Sequence, residues 1–208
     1  MIKHLKLTRA HFEDFIVLRK LGNLFMAFSP NQISAVAFFM AVLGGVSLFF
    51  SSNWLIFTAF LWGVSIFLDG VDGYIARKKH QASKFGDILD HILDRFSDIF
   101  IFLSITYSPY MAHKDFGLLA IVSIFLVSFL GQLGITVGIE REFSSPANRV
   151  FRMVVLAISP LIEFFLSGSN IKYLYLNFTF FDLLMLLFIL LAGISTIIRI
   201  SKILNRIK

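Results

Sequence analysis

The chain contains no cysteine among its 208 residues, so no disulfide framework, thiolate nucleophile or cysteine-bound zinc site is available to it. Charge is scarce as well, at 15% of residues against 57% hydrophobic, and the mean hydropathy is +0.81. A soluble domain carries about a quarter charged residues, so this is membrane composition. No cleaved signal peptide is predicted. The opening MIKHLKLTRAHFEDF mixes acidic with basic residues, and the first long apolar run lacks a small-residue cleavage site. The net charge of +6 does not indicate nucleic acid, because the basic residues sit at the ends of apolar runs rather than along an aromatic-interleaved surface.

What is present is a series of long apolar runs. A bilayer core of about 30 Å is crossed by about 20 helical residues. Six such runs lie near 31–51, 54–76, 85–106, 116–137, 150–167 and 178–198. The fold class expected is an all-α integral membrane protein of six transmembrane helices, formed by residues 31–208, preceded by an interfacial amphipathic helix within 1–30. In that leading segment Phe12, Phe15, Ile16, Leu21, Leu24, Phe25 and Phe28 alternate with Arg9, Glu13, Asp14, Arg19 and Lys20, which suits a helix lying in the membrane surface. A soluble helix packed on the loops is the other reading of it.

Basic residues test the span count independently of hydropathy. Lys3, Lys6, Arg9, Arg19 and Lys20 precede the first span, and Arg77, Lys78, Lys79 and Lys84 follow the second. Arg141, Arg149 and Arg152 follow the fourth; Arg199, Lys202, Arg206 and Lys208 end the sixth. Sixteen basic residues thus fall on one side, against only Lys114 and Lys172 on the other, while Arg95 lies within a span. By the positive-inside rule both termini and the 77–84 loop are cytoplasmic in a multi-pass cell-membrane protein.

The chemistry is concentrated where the second span ends and the third begins, FLDGVDGYIARKKHQASKFGDILDHILDRFSDIF. Asp69 and Asp72 are three residues apart and share a helix face; Gly86, Asp90 and Asp94 recur every four. Two antiparallel helices therefore aim two carboxylates each at one cleft. At about 6 Å and an effective dielectric of about 20, each pair of carboxylates repels by about 2.8 kcal/mol, and six pairs by on the order of 15 kcal/mol. Either protons or divalent cations must intervene. An all-carboxylate set favours Mg²⁺ or Mn²⁺ over zinc or copper. As interfacial caps or partners of Arg77, Lys78 and Arg95, one aspartate would need no further explanation, but four in register with glycines do. Gly73, Ala76 and Gly86 lack bulk where a ligand would approach the backbone, or where helices pack closely, and Arg77 offers a guanidinium suited to bidentate phosphate binding. His91 points about 100° away from the Asp90 face and reads as packing.

The run Asp69-x-x-Asp72-Gly73-x-x-Ala76-Arg77, eight residues, Gly86-x-x-x-Asp90-x-x-x-Asp94 resembles the complete signature of the CDP-alcohol phosphotransferase family, with eight fixed positions in 26 residues. The resemblance implies a six-helix membrane fold, a homodimer, two divalent cations and a CDP-lipid donor. It makes Asp69, Asp72 and Asp90 metal ligands and Asp94 a ligand or the general base. It also makes Gly73, Ala76, Arg77 and Gly86 the nucleotide and phosphate contacts, with Asn31, in Ser29-Pro30-Asn31, beside the nucleotide. With no cysteine and no paired Ser-His arrangement, direct displacement of CMP by an alcohol is expected, with Asp94 as catalytic base because it lies one turn deeper than Asp90.

For the acceptor, Leu93-Asp94-Arg95-Phe96-Ser97-Asp98 resembles the branch that uses inositol phosphate, as do Glu140-Arg141, the Arg149 to Arg152 region and Thr196-x-x-Arg199. An anionic alcohol held by Arg141, Arg149, Arg152 and Arg199 is the expectation; orientation or lipid-headgroup binding is their plainer role. The fourth span departs from the branch, reading FLGQLGITVG where a basic residue is expected near Gln132, which leaves glycerol 3-phosphate open. From other classes, a divalent-metal transporter would place its site near the midplane and would not need Ala76-Arg77. A membrane scaffold would have no use for the aspartates.

Overall fold

A computed structural model describes residues 22–79, 83–139, 146, 148–168 and 177–207. Within them lie six long helices: α1 (Pro30–Ser47), α2 (Trp54–Lys78), α3 (Lys84–Tyr107), α4 (Lys114–Thr136), α5 (Arg149–Gly168) and α6 (Phe180–Ile207). Most of the expected interfacial helix lies outside the described residues; Asn23–Phe25 forms a single 3-10 turn.

The helix starts are written in short polar motifs. Ser29 caps α1 with a reciprocal box: its Oγ accepts from the Gln32 N–H at 3.3 Å, while Gln32 Oε1 accepts from the Ser29 N–H at 2.9 Å. Pro30 then occupies the first turn, where it forfeits no helical bond. Ser83 caps α3 by accepting from the Gly86 N–H at 3.0 Å, and Asn148 caps α5 by accepting from the Phe151 N–H at 2.8 Å. Asp182 accepts from the Thr179 N–H and hydroxyl, both at 2.8 Å, and from the His113 N–H at 2.8 Å, tying the start of α6 to the α3–α4 connection. At the other end of α4, Gly138 takes φ +79°, a left-handed closure that suits glycine.

Among the described residues, five of these six helices are long and apolar enough to cross a membrane, and α3 is the exception. Its 24 residues span about 36 Å, so length is not the reason. Asp87, Asp90, Asp94, Arg95 and Asp98 load the stretch from 87 to 98 with charge. Hydropathy marks apolar runs, not helix ends: α6 continues to Ile207, past Lys202 and Arg206 and well beyond the run ending near 198. The structure is thus an all-helical multi-pass membrane bundle.

Close packing sets the register between helices. A Cβ on Gly44 would collide with the Trp62 ring, one on Gly45 with Ser104, and one on Gly117 with Thr106, so small residues let α1 meet α2 and α3, and let α4 meet α3. Trp62 Nε1 donates to the Ala41 carbonyl at 3.1 Å, Ser65 Oγ to the Ala37 carbonyl at 2.8 Å, and the Ser47 and Thr58 hydroxyls lie 2.6 Å apart. These bonds leave α1 and α2 locked with few unsatisfied groups in the bundle. Phe102, Phe181, Phe188, Leu156 and Met185 fill the centre; Ile33, Ala37, Leu68, Val71 and Ile75 form a separate apolar cluster below the α2–α3 turn.

Candidate active site

The last turns of α2 and the first turns of α3 face each other across their connecting loop. Carboxylate oxygens of Asp69, Asp72 and Asp90 lie within 4.8 Å of one another, close enough to share an ion. Asp90 also belongs to a second group with His91 and Asp94 on the same criterion. The His91 ring turns back toward the acidic face despite the offset of its Cα, and its Nε2 stands 3.8 Å from Asp87. The donor set of both groups is dominated by oxygen, which fits Mg²⁺ or Mn²⁺.

Three of the carboxylates are held from another helix. Asp72 is buried, and its Oδ2 accepts from the Ser34 hydroxyl of α1 at 2.5 Å. Arg149, at the start of α5, donates through Nη1 to both oxygens of Asp69, at 3.0 and 2.9 Å, and its Nη2 lies 2.7 Å from Asp94. One guanidinium thus bridges α2 and α3. Planar nitrogens in a fixed fork suit this double contact better than a single ammonium would.

Behind the acidic groups is a second network centred on Asp98, one turn after Asp94. Its Oδ2 accepts from Arg152 Nη2 of α5 at 2.5 Å and from Arg95 Nη1 at 3.2 Å, and its Oδ1 stands 3.8 Å from Arg149 Nε. The Arg95–Asp98 pair within α3 thus recruits two more arginines from α5. Arg95 also donates to Ser128 of α4 at 2.5 Å. Arg199 of α6 reaches α4 too: Nη1 donates to the Val127 carbonyl at 2.5 Å, and a Cβ on Gly131 would collide with that nitrogen. A guanidinium from α6 thus lies on the Val127–Gly131 face of α4, beside the segment where a basic residue was expected. Arg149 Nε and Arg199 Nε are buried without a hydrogen-bond partner.

The residues expected at a nucleotide site border the acidic groups. A Cβ on Gly86 would stand 3.2 Å from Asn31 Oδ1, so α1 approaches α3 closely there; Gly73 lies under the Arg77 guanidinium, at 3.4 Å for a built Cβ. Ala76 is half-buried and Arg77 exposed. Arg141 lies outside the described residues. Sequence reasoning did not single out Ser34, Ser128 or Gly131. For Ser34 one signal was present, its position three residues after Asn31 on the same face of α1.

Residues 27–201 match the sequence model of the CDP-alcohol phosphatidyltransferase family. The archaetidylinositol phosphate synthase of Pyrococcus horikoshii is 27% identical over 138 residues, 66% of this chain and 72% of that protein. The enzyme of the same name from Methanothermobacter thermautotrophicus is 31% identical over 136 residues, 65% of this chain and 68% of that protein. In fold, the chain is similar to the crystal structure of the Mycobacterium tuberculosis phosphatidylinositol phosphate synthase PgsA1 in apo form, with a TM-score of 0.68 and 19% identity, covering 90% of this chain and 94% of that one.

Proposed function

The chain belongs to the CDP-alcohol phosphatidyltransferase family, and on that premise we propose that it transfers the phosphatidyl-type group of a CDP-lipid to inositol phosphate, releasing CMP. The relatives named as archaetidylinositol phosphate synthases support this acceptor. The observation that carries the reading is the clustering of the Asp69, Asp72 and Asp90 carboxylates with the Arg149 guanidinium, which joins Asp69 to Asp94, while Arg152 pairs with Asp98 one turn behind.

Asp69, Asp72, Asp90 and Asp94 would hold two divalent cations, Mg²⁺ or Mn²⁺. Such cations neutralise charge on a pyrophosphate and on the departing phosphate. Asn31, Gly73, Ala76, Arg77 and Gly86 receive the CDP portion: Arg77 holds phosphate oxygens, and the side-chain-free positions admit the nucleotide against the backbone. Arg149, Arg152 and Arg199, with Arg141, hold the acceptor's phosphate. A buried donor left unpaired costs about 1–3 kcal/mol, so the Nε groups of Arg149 and Arg199 favour a ligand rich in oxygens. Fixed this way, the acceptor presents its hydroxyl to Asp94, which takes the proton as the oxygen attacks the lipid-bearing phosphorus. The phosphorus–oxygen bond to CMP breaks in the same displacement.

The proposal includes orientation and assembly. The distribution of basic residues supports a cytoplasmic position for the α2–α3 turn, the site and both termini in the cell membrane. A homodimer follows from the family resemblance. The segment just before α1 is attached to the catalytic unit of residues 31–208: Lys78 Nζ donates to Asn23 Oδ1 at 2.5 Å and Lys79 Nζ to the Phe28 carbonyl at 2.8 Å.

The test is an acceptor panel with purified protein, CDP-archaeol or CDP-diacylglycerol, and Mg²⁺ or Mn²⁺. CMP release is expected with labelled inositol phosphate in preference to glycerol 3-phosphate, serine and free inositol. Preference for glycerol 3-phosphate would overturn the inositol assignment, preference for serine or free inositol the anionic acceptor, and absence of CMP release with every acceptor the transfer reaction.

A further inference from the structure

We infer that Ser34 of α1 is a positioning residue for the acidic site, its hydroxyl orienting the Asp72 carboxylate for a divalent cation. The inference rests on the reading that Asp72 is a cation ligand. Ser34 Oγ is 2.5 Å from Asp72 Oδ2 and 3.1 Å from the Pro30 carbonyl. The hydroxyl has one proton, and the shorter contact to the charged acceptor claims it. Both residues are buried, so water does not compete for the bond.

The position of this bond distinguishes it from packing. Three other side-chain contacts join α1 to α2, at Ala37–Ser65, Ala41–Trp62 and Ser47–Thr58, all farther from the α2–α3 turn. The helix pair is locked without Ser34. What Ser34 adds is control of one torsion: an aspartate's carboxylate rotates about its last bond, and a bond to one oxygen sets where the other points. Cation sites of oxygen ligands depend on that direction, and loss of an outer partner typically weakens metal binding by roughly 10- to 100-fold. Asn31, one turn earlier on the same face, borders Gly86, so α1 forms a third wall of the cleft, to which Asn31 and Ser34 both belong.

The experiment is Mn²⁺ binding to the detergent-purified full chain, read by the electron paramagnetic resonance of free Mn²⁺, with melting temperatures measured in EDTA. Ser34→Ala is expected to raise the Mn²⁺ Kd by roughly 10- to 100-fold, and Ser34→Thr to stay near wild type. Asp72→Asn, run alongside, is expected to weaken binding more than Ser34→Ala. Wild-type binding by Asp72→Asn would overturn the reading of Asp72 as a ligand. Loss of binding in Asp72→Asn with wild-type binding in Ser34→Ala would overturn the role of Ser34 alone. A lowered melting temperature for Ser34→Ala with unchanged Kd would assign the hydroxyl to packing and overturn it equally.

Discussion

Gly131→Ala tests how the acceptor's phosphate is held. The added methyl group would fall on Arg199 Nη1, which donates to the Val127 carbonyl one turn earlier on α4. A guanidinium at the end of a flexible side chain can withdraw, so the helix survives and the cost falls on the arginine's placement. Removing a hydrogen bond to a charged group costs about 1.5–3 kcal/mol. At about 1.4 kcal/mol per decade, the acceptor KM should rise roughly ten- to a hundredfold, with donor KM little changed. Arg199→Ala should give a KM in the same range. The double variant should then be no worse than Arg199→Ala, because without the guanidinium the methyl has nothing to displace. Steady-state CMP release with varied inositol phosphate and fixed CDP-lipid supplies the numbers. Additive effects in the double variant, or a wild-type KM in Gly131→Ala, would refute the claim that Gly131 seats Arg199 for the acceptor.

Asp69→Asn, Asp72→Asn and Asp90→Asn should each abolish transfer; EDTA treatment should do so reversibly in the wild type, with CMP release as the measure, and full activity after metal-free dialysis would contradict the cation reading. The absence of cysteine makes single-cysteine labelling clean: Ala82→Cys should react with an impermeant maleimide only from the cytoplasm and Ser52→Cys only from outside. Reaction of both from one side would require another topology.

The acidic cluster was legible because helical spacing alone brings Asp69 and Asp72, or Asp90 and Asp94, to one face, and a short loop folds the two helices together. All six helices were legible as apolar runs and from the alternation of basic loops, although α3 is less apolar than the other five. Contacts between distant helices were not legible. Ser34 reads as one polar residue in an apolar run; its contact with Asp72 depends on the α1–α2 register, which Gly44 and Trp62 set. Likewise, a sequence lacking a basic residue near Gln132 gives no sign that Arg199, almost seventy residues later, fills the space beside Gly131. The approach of the His91 ring to Asp90 and Asp94 was not legible either, because a Cα direction does not fix where a side chain points.

The charge carried by α3 also bears on how the bundle is made. On insertion scales, an aspartate at a helix centre opposes entry into the bilayer by about 2.5–3.5 kcal/mol, and α3 carries several in the half that meets the surface. Arg149 and Arg152, which neutralise that half, belong to α5 and emerge from the ribosome more than fifty residues after Asp94 and Asp98. Until then α3 has α1 and α4 to pack against, but its acidic turns lack the guanidiniums that pair with them in the finished bundle. The groups that perform chemistry therefore impose an order on biogenesis, in which the site closes only when the fifth helix arrives.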